Sequence, residues 1–129
     1  MTDLAKIWSK FATKDLKSAK LLFKGKAYEN GILHCHQALE KQMKGVIVSQ
    51  GGTIRKTHDL PALLNDTGLQ FPEEVLRFVQ DLNAYYQPSR YPDTALDTLL
   101  VFNRKTADRF MKLPETTIKW LRYHNKQEK

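Results

Sequence analysis

The amino-acid sequence predicts an all-α protein, an up-and-down antiparallel bundle of four to five main helices with a short extra helix. Three observations support this prediction. Several long segments repeat apolar residues at the three- and four-residue spacing of a helix face. No segment shows the sustained alternation of apolar and polar residues that marks a half-buried strand. Short connections join the segments, so consecutive helices are expected to lie side by side in opposite directions.

The first predicted element is a helix from Leu4 to Phe23. The apolar residues expected to face the core are Leu4, Trp8, Phe11, Ala12, Leu16, Ala19, Leu22 and Phe23. The opposite face carries a lysine stripe that consists of Lys6, Lys10, Lys14, Lys17, Lys20 and Lys24. At the rise of an α-helix this stripe is about 27 Å long. It can follow several phosphates of a nucleic acid, or it can be an ordinary solvated helix face.

Asp15 interrupts the apolar face of this helix, one turn after Phe11. Burying an ionised carboxylate is costly unless a partner compensates its charge. Either Asp15 points into a polar pocket between helices, which we favour, or the apolar stripe is wider than the core at this point.

The segment from Tyr28 to Ser49 has the longest uninterrupted helical periodicity and is the second predicted helix. Its core-facing residues are Tyr28, Ile32, Cys35, Leu39, Met43 and Val46. A column of small residues runs beside them and consists of Ala27, Gly31, Ala38 and Gly45. This column would let another helix approach closely, either within the chain or in a second subunit. Gly25 is expected to end the preceding helix in a left-handed conformation.

Two further elements follow a basic connection. Residues 57–66 are predicted to form a short helix, which Thr57 or Asp59 can cap. The next helix opens with Pro72 and two acidic residues in its first turn, as the helix dipole favours. This helix is predicted to end at Gln87-Pro88.

A loop separates this helix from the last part of the chain. A helix is predicted from Thr94 to about Lys112, and Pro114 is expected to break it. A final short helix is predicted from Glu115 to Tyr123. Residues 1–124 are therefore expected to form one domain, and residues 125–129 a flexible tail.

Composition and charge limit the class of protein. The chain of 129 residues has a net charge of +7. Up to Leu64 there are 11 Lys or Arg against 5 Asp or Glu, and after it 10 against 9. A basic N-terminal half favours an anionic partner. The sequence contains no apolar run long enough to span a membrane and no signal-peptide pattern, so we expect a cytoplasmic protein without a membrane partner.

Several kinds of catalytic site are poorly supported by the sequence. His34 and His36 point in different directions on a helix, and two ligands from one helix, His36 with Glu40, are too few for a metal. His36 and Glu40 are more simply read as hydrogen-bonded to each other or to a neighbouring helix. The single cysteine, Cys35, lies on the core face, and no glycine-rich phosphate loop follows a strand. We therefore expect no metal and no cofactor.

Polar residues that several elements contribute form the candidate ligand-binding cluster. Its members are Asp15, His36, Gln37, Glu40, Lys41, Lys44, His58, Asp59, Tyr86, Arg90, Tyr91 and Asp93. Arg90 is the strongest single candidate, because Pro88 and Pro92 restrict the backbone around it. A guanidinium held in this way suits a phosphate or a buried carboxylate. Arg90 can equally form a scaffold ion pair with Asp15 or Glu40.

Four stretches in this order resemble the HEPN domain family. They are Asp15-Leu16-Lys17-Ser18-Ala19-Lys20-Leu21-Leu22, His36-Gln37-Ala38-Leu39-Glu40-Lys41-Gln42-Met43-Lys44, Thr57-His58-Asp59-Leu60 with Leu63-Leu64, and Tyr86 with Arg90-Tyr91-Pro92-Asp93. The resemblance extends from about Phe11 to Phe110. It implies an up-and-down helical bundle, commonly a homodimer, often encoded beside a minimal nucleotidyltransferase partner.

Many relatives in this family are metal-independent ribonucleases of toxin–antitoxin or defence systems. The resemblance implies that they use an Arg followed after four to six residues by a His. This sequence departs from that pattern, because Ala95, Leu96 and Asp97 stand where the His after Arg90 would be. The departure argues against cleavage by the usual mechanism and leaves a subgroup whose Arg-Tyr-Pro-Asp loop binds a nucleotide or a partner.

Three functions remain as hypotheses. The leading one is a non-catalytic HEPN domain that binds a nucleotide or polynucleotide phosphate and acts with a nucleotidyltransferase subunit. Arg90, Lys41 and Lys44 would bind phosphate. Tyr91 or Tyr86 would stack on a base, and the residues that orient the basic groups would be Asp15, Glu40 and His58.

The second hypothesis is a ribonuclease with a non-standard site, such as His36 or His58 with Arg90. The third is a dimerisation or interaction module in which the cluster fixes helix packing.

Overall fold

The structure, a computed structural model, describes residues 3–90 and 104–127. These residues form four long helices and one short one, in the order α1 Asp3–Lys24, α2 Tyr28–Ser49, α3 Leu60–Asp66, α4 Glu73–Arg90 and α5 Arg104–Gln127. The described part of the chain has no strand. The prediction of an all-α helical bundle is confirmed.

The α1 and α2 helices form a closely packed antiparallel pair. The side chains in contact are small. Ala5, Ala12 and Ala19 of α1 are buried, and Gly45 of α2 lies against Ala5 and Trp8. A Cβ atom added to Gly45 would lie 3.1 Å from Cβ of Trp8. The small-residue column of α2 therefore serves a contact within the chain, which answers the alternative that the sequence left open.

This close approach changes which side of α1 faces the core. Leu4 and Phe11 were predicted to be buried, but both are exposed, as is Ile7. The reason is geometric: when alanines occupy the contact line, larger side chains on the same helix are displaced to its rim. The predicted core face was thus wrong at Leu4 and Phe11, whereas Asp15 is buried together with the alanines of the contact line.

The turn between α1 and α2 ends the first helix with two backbone hydrogen bonds. The N–H of Ala27 donates to the carbonyl of Leu22 at 2.8 Å, and that of Lys26 donates to Phe23 at 3.0 Å. This pair of bonds defines a Schellman motif, whose left-handed position is Lys26 with φ 63°. The left-handed residue is therefore Lys26, one position later than the predicted Gly25.

The short helix α3 is held in place by its N-terminal cap. Asp59 accepts a hydrogen bond from the backbone N–H of Ala62, which confirms one of the two predicted caps. The amide of Asn83 on α4 donates to Asp59 at 2.9 Å, and its oxygen accepts from the N–H of Leu60 at 3.1 Å. Asn83 thereby fixes the start of α3 against α4.

Two predicted helix ends differ from the structure, and both involve proline. The α4 helix continues through Pro88 to Arg90, and α5 continues through Pro114 as one helix. Pro114 is itself buried, and it lies on a continuous apolar stripe with Phe110, Ile118 and Leu121. Packing of this stripe against the core offsets the lost backbone hydrogen bond.

The α5 helix extends to Gln127, and the flexible tail expected over residues 125–129 stays a prediction. The core lies between α2, α4 and α5, with fully buried side chains such as Leu39, Phe78 and Leu121. Cys35 belongs to this core, and burial raises the pKa of its thiol. None of the helices in the described ranges is both long enough and apolar enough to cross a membrane.

Candidate functional site

Asp15 is the centre of the first polar cluster, which joins α1 to α2. The residue is only 8% exposed, and its carboxylate accepts hydrogen bonds from Nδ1 of His34 at 3.1 Å and from Nζ of Lys41. Since a carboxylate only accepts hydrogen bonds, Nδ1 of His34 carries the proton. The polar pocket that we favoured for Asp15 is thus present, and two cationic or polar donors offset the cost of burying the charge.

Glu40 is the centre of a second cluster of the same composition, between α2 and the loop before α3. It accepts from Nζ of Lys44 at 2.9 Å and from Nδ1 of His58 at 3.0 Å. Glu40 and Lys44 are buried, whereas the side chain of His58 is 61% exposed. Each buried carboxylate therefore holds one lysine of α2 and one histidine.

His36 lies behind the Glu40 cluster and is completely buried. Its Nε2 donates to the side-chain oxygen of Asn83 at 3.3 Å, and its Nδ1 is 3.7 Å from Oε1 of Glu40. Burial lowers the pKa of His36 to about 4, although Asn83 and Glu40 act in the opposite direction. His36 is therefore neutral at pH 7 and belongs to the interior of the bundle.

Lysines of both clusters lie against aromatic rings of α1, in a region that we call the α1–α2 face and define by Trp8, Phe11, Lys14, Lys41 and Lys44. Nζ of Lys14 lies 5.4 Å and Nζ of Lys41 lies 5.7 Å from the ring centroid of Phe11. Nζ of Lys44 lies 5.8 Å from the ring centroid of Trp8. Lys41 and Lys44 are three positions apart, so they share a side of α2 and connect the two clusters.

The structure brings together most of the described residues that the sequence singled out. Asp15, Glu40, Lys41 and Lys44 meet at the α1–α2 face, and His58 is attached to it through Glu40. Gln37 is half-buried on α2, one turn before Lys41. Their role in binding a ligand stays a prediction.

The remaining predicted residues come from the end of α4 and the segment after it. Tyr86 and Arg90 belong to the α4 helix, but their side chains are not among the described ones. Tyr91 and Asp93 lie outside the described residues. An ion pair of Arg90 with Asp15 or Glu40 therefore stays a prediction, and both carboxylates already have lysine and histidine partners.

Sequence reasoning missed four residues at this face: Trp8, Phe11, Lys14 and His34. The sequence pattern places the two aromatic residues in the core and Lys14 on a general lysine stripe, and it offers His34 only as a metal ligand. A signal was present in the sequence, because Asp15 one turn after Phe11 indicated that the apolar stripe exceeds the core. Asp15 itself fills a polar pocket, whereas Leu4, Ile7 and Phe11 before it on α1 are exposed.

A cavity elsewhere in the described residues differs from the α1–α2 face in its chemistry. A cavity of about 410 Å³ lies between α3 and α4, and its lining includes Leu64, Leu69, Phe71 and Val79. None of the described residues that line it is ionisable. Within the described ranges, no three His, Cys, Asp or Glu side chains lie close enough together to hold a metal ion.

Comparison with known proteins decides the family. The family model of the HEPN domain matches residues 5–124, which is nearly the whole chain. The chain belongs to the HEPN family. The resemblance that the four sequence stretches carried is confirmed, and with it the up-and-down helical fold.

Two solved structures resemble this HEPN domain along almost their entire length. TT1696 from Thermus thermophilus is 23% identical, with a TM-score of 0.82 over 95% of this chain and 98% of the other. ST0689, described as an archaeal HEPN homologue, is 26% identical, with a TM-score of 0.73 over 96% of this chain and 99% of the other. A comparison with curated proteins found no match.

Proposed function

We propose that this HEPN domain binds a nucleotide or polynucleotide phosphate at the α1–α2 face and does not itself cleave RNA. The observation that carries the proposal is the placement of ammonium groups beside the aromatic rings of α1, with Lys14 and Lys41 at Phe11 and Lys44 at Trp8. An ammonium group has three donors, so a lysine bound to one carboxylate retains donors for a phosphate. The net charge of +7 favours approach of such an anion.

The buried carboxylates give this face a defined geometry. Asp15 fixes Lys41 and Glu40 fixes Lys44, so the entropy of ordering these long side chains is lost on folding rather than on binding. A phosphate that reaches Lys41, the more exposed of the two lysines, meets a donor already in place. Arg90, whose position in the sequence suits a phosphate, is part of the same proposal.

The sequence and the state of His36 support a non-catalytic role. No His follows Arg90 at the spacing that RNA-cleaving relatives use. His36, one of two histidines considered for a non-standard ribonuclease, is buried and neutral. A histidine in that state does not reach a substrate as a general acid or base.

A ribonuclease with a non-standard site is the second candidate, because His58 is exposed and hydrogen-bonded to Glu40. A carboxylate that orients an exposed imidazole is the arrangement of a general base. Incubation of the purified protein with total RNA tests this candidate. Cleavage that His58→Ala and Arg90→Ala each abolish would support it and overturn the non-catalytic proposal. Absence of cleavage, or cleavage that survives both changes, would remove this site.

The partners belong to the proposal as well. HEPN domains commonly dimerise, and we propose a homodimer that acts with a minimal nucleotidyltransferase subunit, in the manner of a toxin–antitoxin pair. Co-expression with a nucleotidyltransferase encoded by a neighbouring gene, followed by size-exclusion chromatography, tests this assembly. Co-elution in a fixed ratio supports it, and separate elution of the two proteins contradicts it.

Calorimetric titration with ATP and GTP tests phosphate binding. We expect Lys41→Gln and Arg90→Ala to weaken binding, whereas Lys119→Gln should leave it unchanged, because Lys119 is an exposed lysine on α5. Urea unfolding of each variant separates lost binding from lost stability. If the wild-type protein binds neither nucleotide, or if both variants bind like wild type, the ligand role fails. In that case the cluster fixes helix packing and the domain is an interaction module.

A further inference from the structure

The outer rim of α1 carries large apolar side chains that the described part of the domain leaves exposed. Leu4 is 52%, Ile7 49% and Phe11 45% exposed. They follow one another at three- and four-residue spacing, so they form one stripe. Phe11 differs from the other two, because ammonium groups from two helices lie within 6 Å of its ring. An occupant of this stripe must therefore suit both an aromatic ring and positive charge.

The charge around the stripe selects the kind of occupant. The neighbouring lysines of α1 at positions 6, 10, 14 and 17 are all exposed. A second copy of the chain placed against this stripe would bring lysines close to lysines, and such like-charge contacts are unfavourable. A partner with negative charge and flat apolar groups satisfies both features. Single-stranded nucleic acid has this chemistry, since its bases expose their faces and its phosphates lie beside them.

We infer that the α1–α2 face binds single-stranded nucleic acid through bases as well as phosphates, with Phe11 as the stacking platform. This inference rests on the proposed function, to which it adds the class of ligand and the residue that contacts the base. Lys14 turns from the ring to a neighbouring phosphate, where a charge-assisted hydrogen bond replaces the weaker contact with the ring. Lys41 stays bound to Asp15 and offers its remaining donors to the strand. The exposed lysines of α1 continue the path of the strand.

The binding site should prefer unpaired strands over duplexes. In a duplex the bases are stacked on one another and paired, so Phe11 has no base face to contact. A strand of about eight nucleotides is within the range that such surfaces cover. The lysine contacts, in contrast, do not distinguish the two forms, since both carry phosphates.

Fluorescence anisotropy with two labelled probes tests this inference. One probe is an oligodeoxyadenylate of about eight nucleotides, and the other is an abasic strand of the same length and charge. We expect the wild-type protein to bind the base-bearing strand about tenfold more tightly or better, the effect of one stacked base. Phe11→Leu should remove this difference, whereas Phe11→Trp, which keeps an aromatic ring, should retain it. Lys14→Gln should weaken binding of both probes.

Controls and outcomes separate this inference from the proposed function. Leu21→Ser changes another exposed apolar residue of α1 and should alter neither affinity. Equal binding of the two probes by the wild-type protein would overturn base stacking while phosphate binding stands. Failure to bind either probe would overturn this inference, while the titration with ATP and GTP decides the proposed function separately. If Phe11→Leu dissociates an oligomer and leaves affinity for the base-bearing strand unchanged, the stripe is a subunit contact and the inference is wrong.

Discussion

Asp15 and Glu40 illustrate how single residues give this domain its polar face. Each is a nearly buried carboxylate, and each accepts hydrogen bonds from one lysine of α2 and one histidine. A carboxylate removed from water in this way needs its partners, so the lysines are held in place by the folding of the domain. The same contacts therefore contribute to stability and prepare donors for an anion.

His36 should make the stability of the domain dependent on pH. Its folded pKa of about 4 lies below the ordinary value of 6.5, because burial disfavours the imidazolium. The unfolded chain therefore binds a proton first as the pH falls, and stability is lost between about pH 6.5 and 4. Above this window both states are neutral and His36 has no effect. The loss inside the window approaches about 1.4 kcal/mol per pH unit.

Urea unfolding at pH 7 and pH 5 measures this effect. The free energy of unfolding of the wild-type protein should fall more over this interval than that of His36→Gln, which has no titrating group at the site. Glu40 and His58, which face His36, are present in both proteins. An equal fall in the two proteins would show that His36 does not titrate as its burial requires.

Residue-level prediction succeeded where a side chain had one plausible environment. Asp15 on an otherwise apolar stripe could be stable only with partners, and the structure supplies them. Phe11 was misplaced because an aromatic residue fits a core and an exposed site equally well by pattern alone. The deciding fact, the close approach of α2, depends on residues more than 20 positions away.

At the scale of elements, the packing of α1 on α2 depends on small residues at fixed places. A Cβ atom added to Gly31 would lie 2.8 Å from a ring carbon of Phe23, which is closer than real contacts allow. Gly31 therefore lets the ring of Phe23 fill the space between the helices. Glycine is otherwise unfavourable within a helix, so close packing is the reason for its presence.

Gly31→Ala should destabilise the domain although alanine favours helix formation. We expect the free energy of unfolding to fall by about 1–3 kcal/mol, because the buried ring of Phe23 must shift. Asn30→Ala is the matched control, since Asn30 is exposed on the same turn and gains helix propensity without a clash. In the double variant Gly31→Ala/Phe23→Leu, the cost of Gly31→Ala should be smaller. An additive double variant would contradict the proposed clash.

The ends of the helices were less predictable than their existence. Helix α2 begins and ends at the predicted residues, because its periodicity is long and glycines follow it. Pro88 and Pro114 were expected to end helices, since local chemistry disfavours proline inside them. In α5 the apolar stripe on both sides of Pro114 packs on the same core, and this tertiary contact outweighs the local preference.

At the scale of the whole molecule, Arg122 connects the two ends of the described chain. Its Nε donates to Gln42 on α2 at 2.9 Å, and its Nη2 donates to the carbonyl of Ser9 at 3.0 Å and to the hydroxyl of Thr13 at 2.7 Å. These partners precede Arg122 by 80 to 113 positions, so no local pattern in the sequence could have revealed them. A single guanidinium thus binds α5 to both helices that form the candidate site.

Arg122→Lys should therefore destabilise the domain although it keeps the charge. An ammonium group cannot present donors to two helices in the fixed geometry of a guanidinium. We expect the free energy of unfolding, measured with urea, to fall by about 1–3 kcal/mol, because acceptors on α1 and α2 lose their donors. Lys119→Gln, one turn earlier on the exposed side of α5, should change it by less than about 0.5 kcal/mol. If the two variants lose the same small amount, apolar contacts such as those of Ile118 and Leu121 hold α5 without Arg122, and the connection is dispensable.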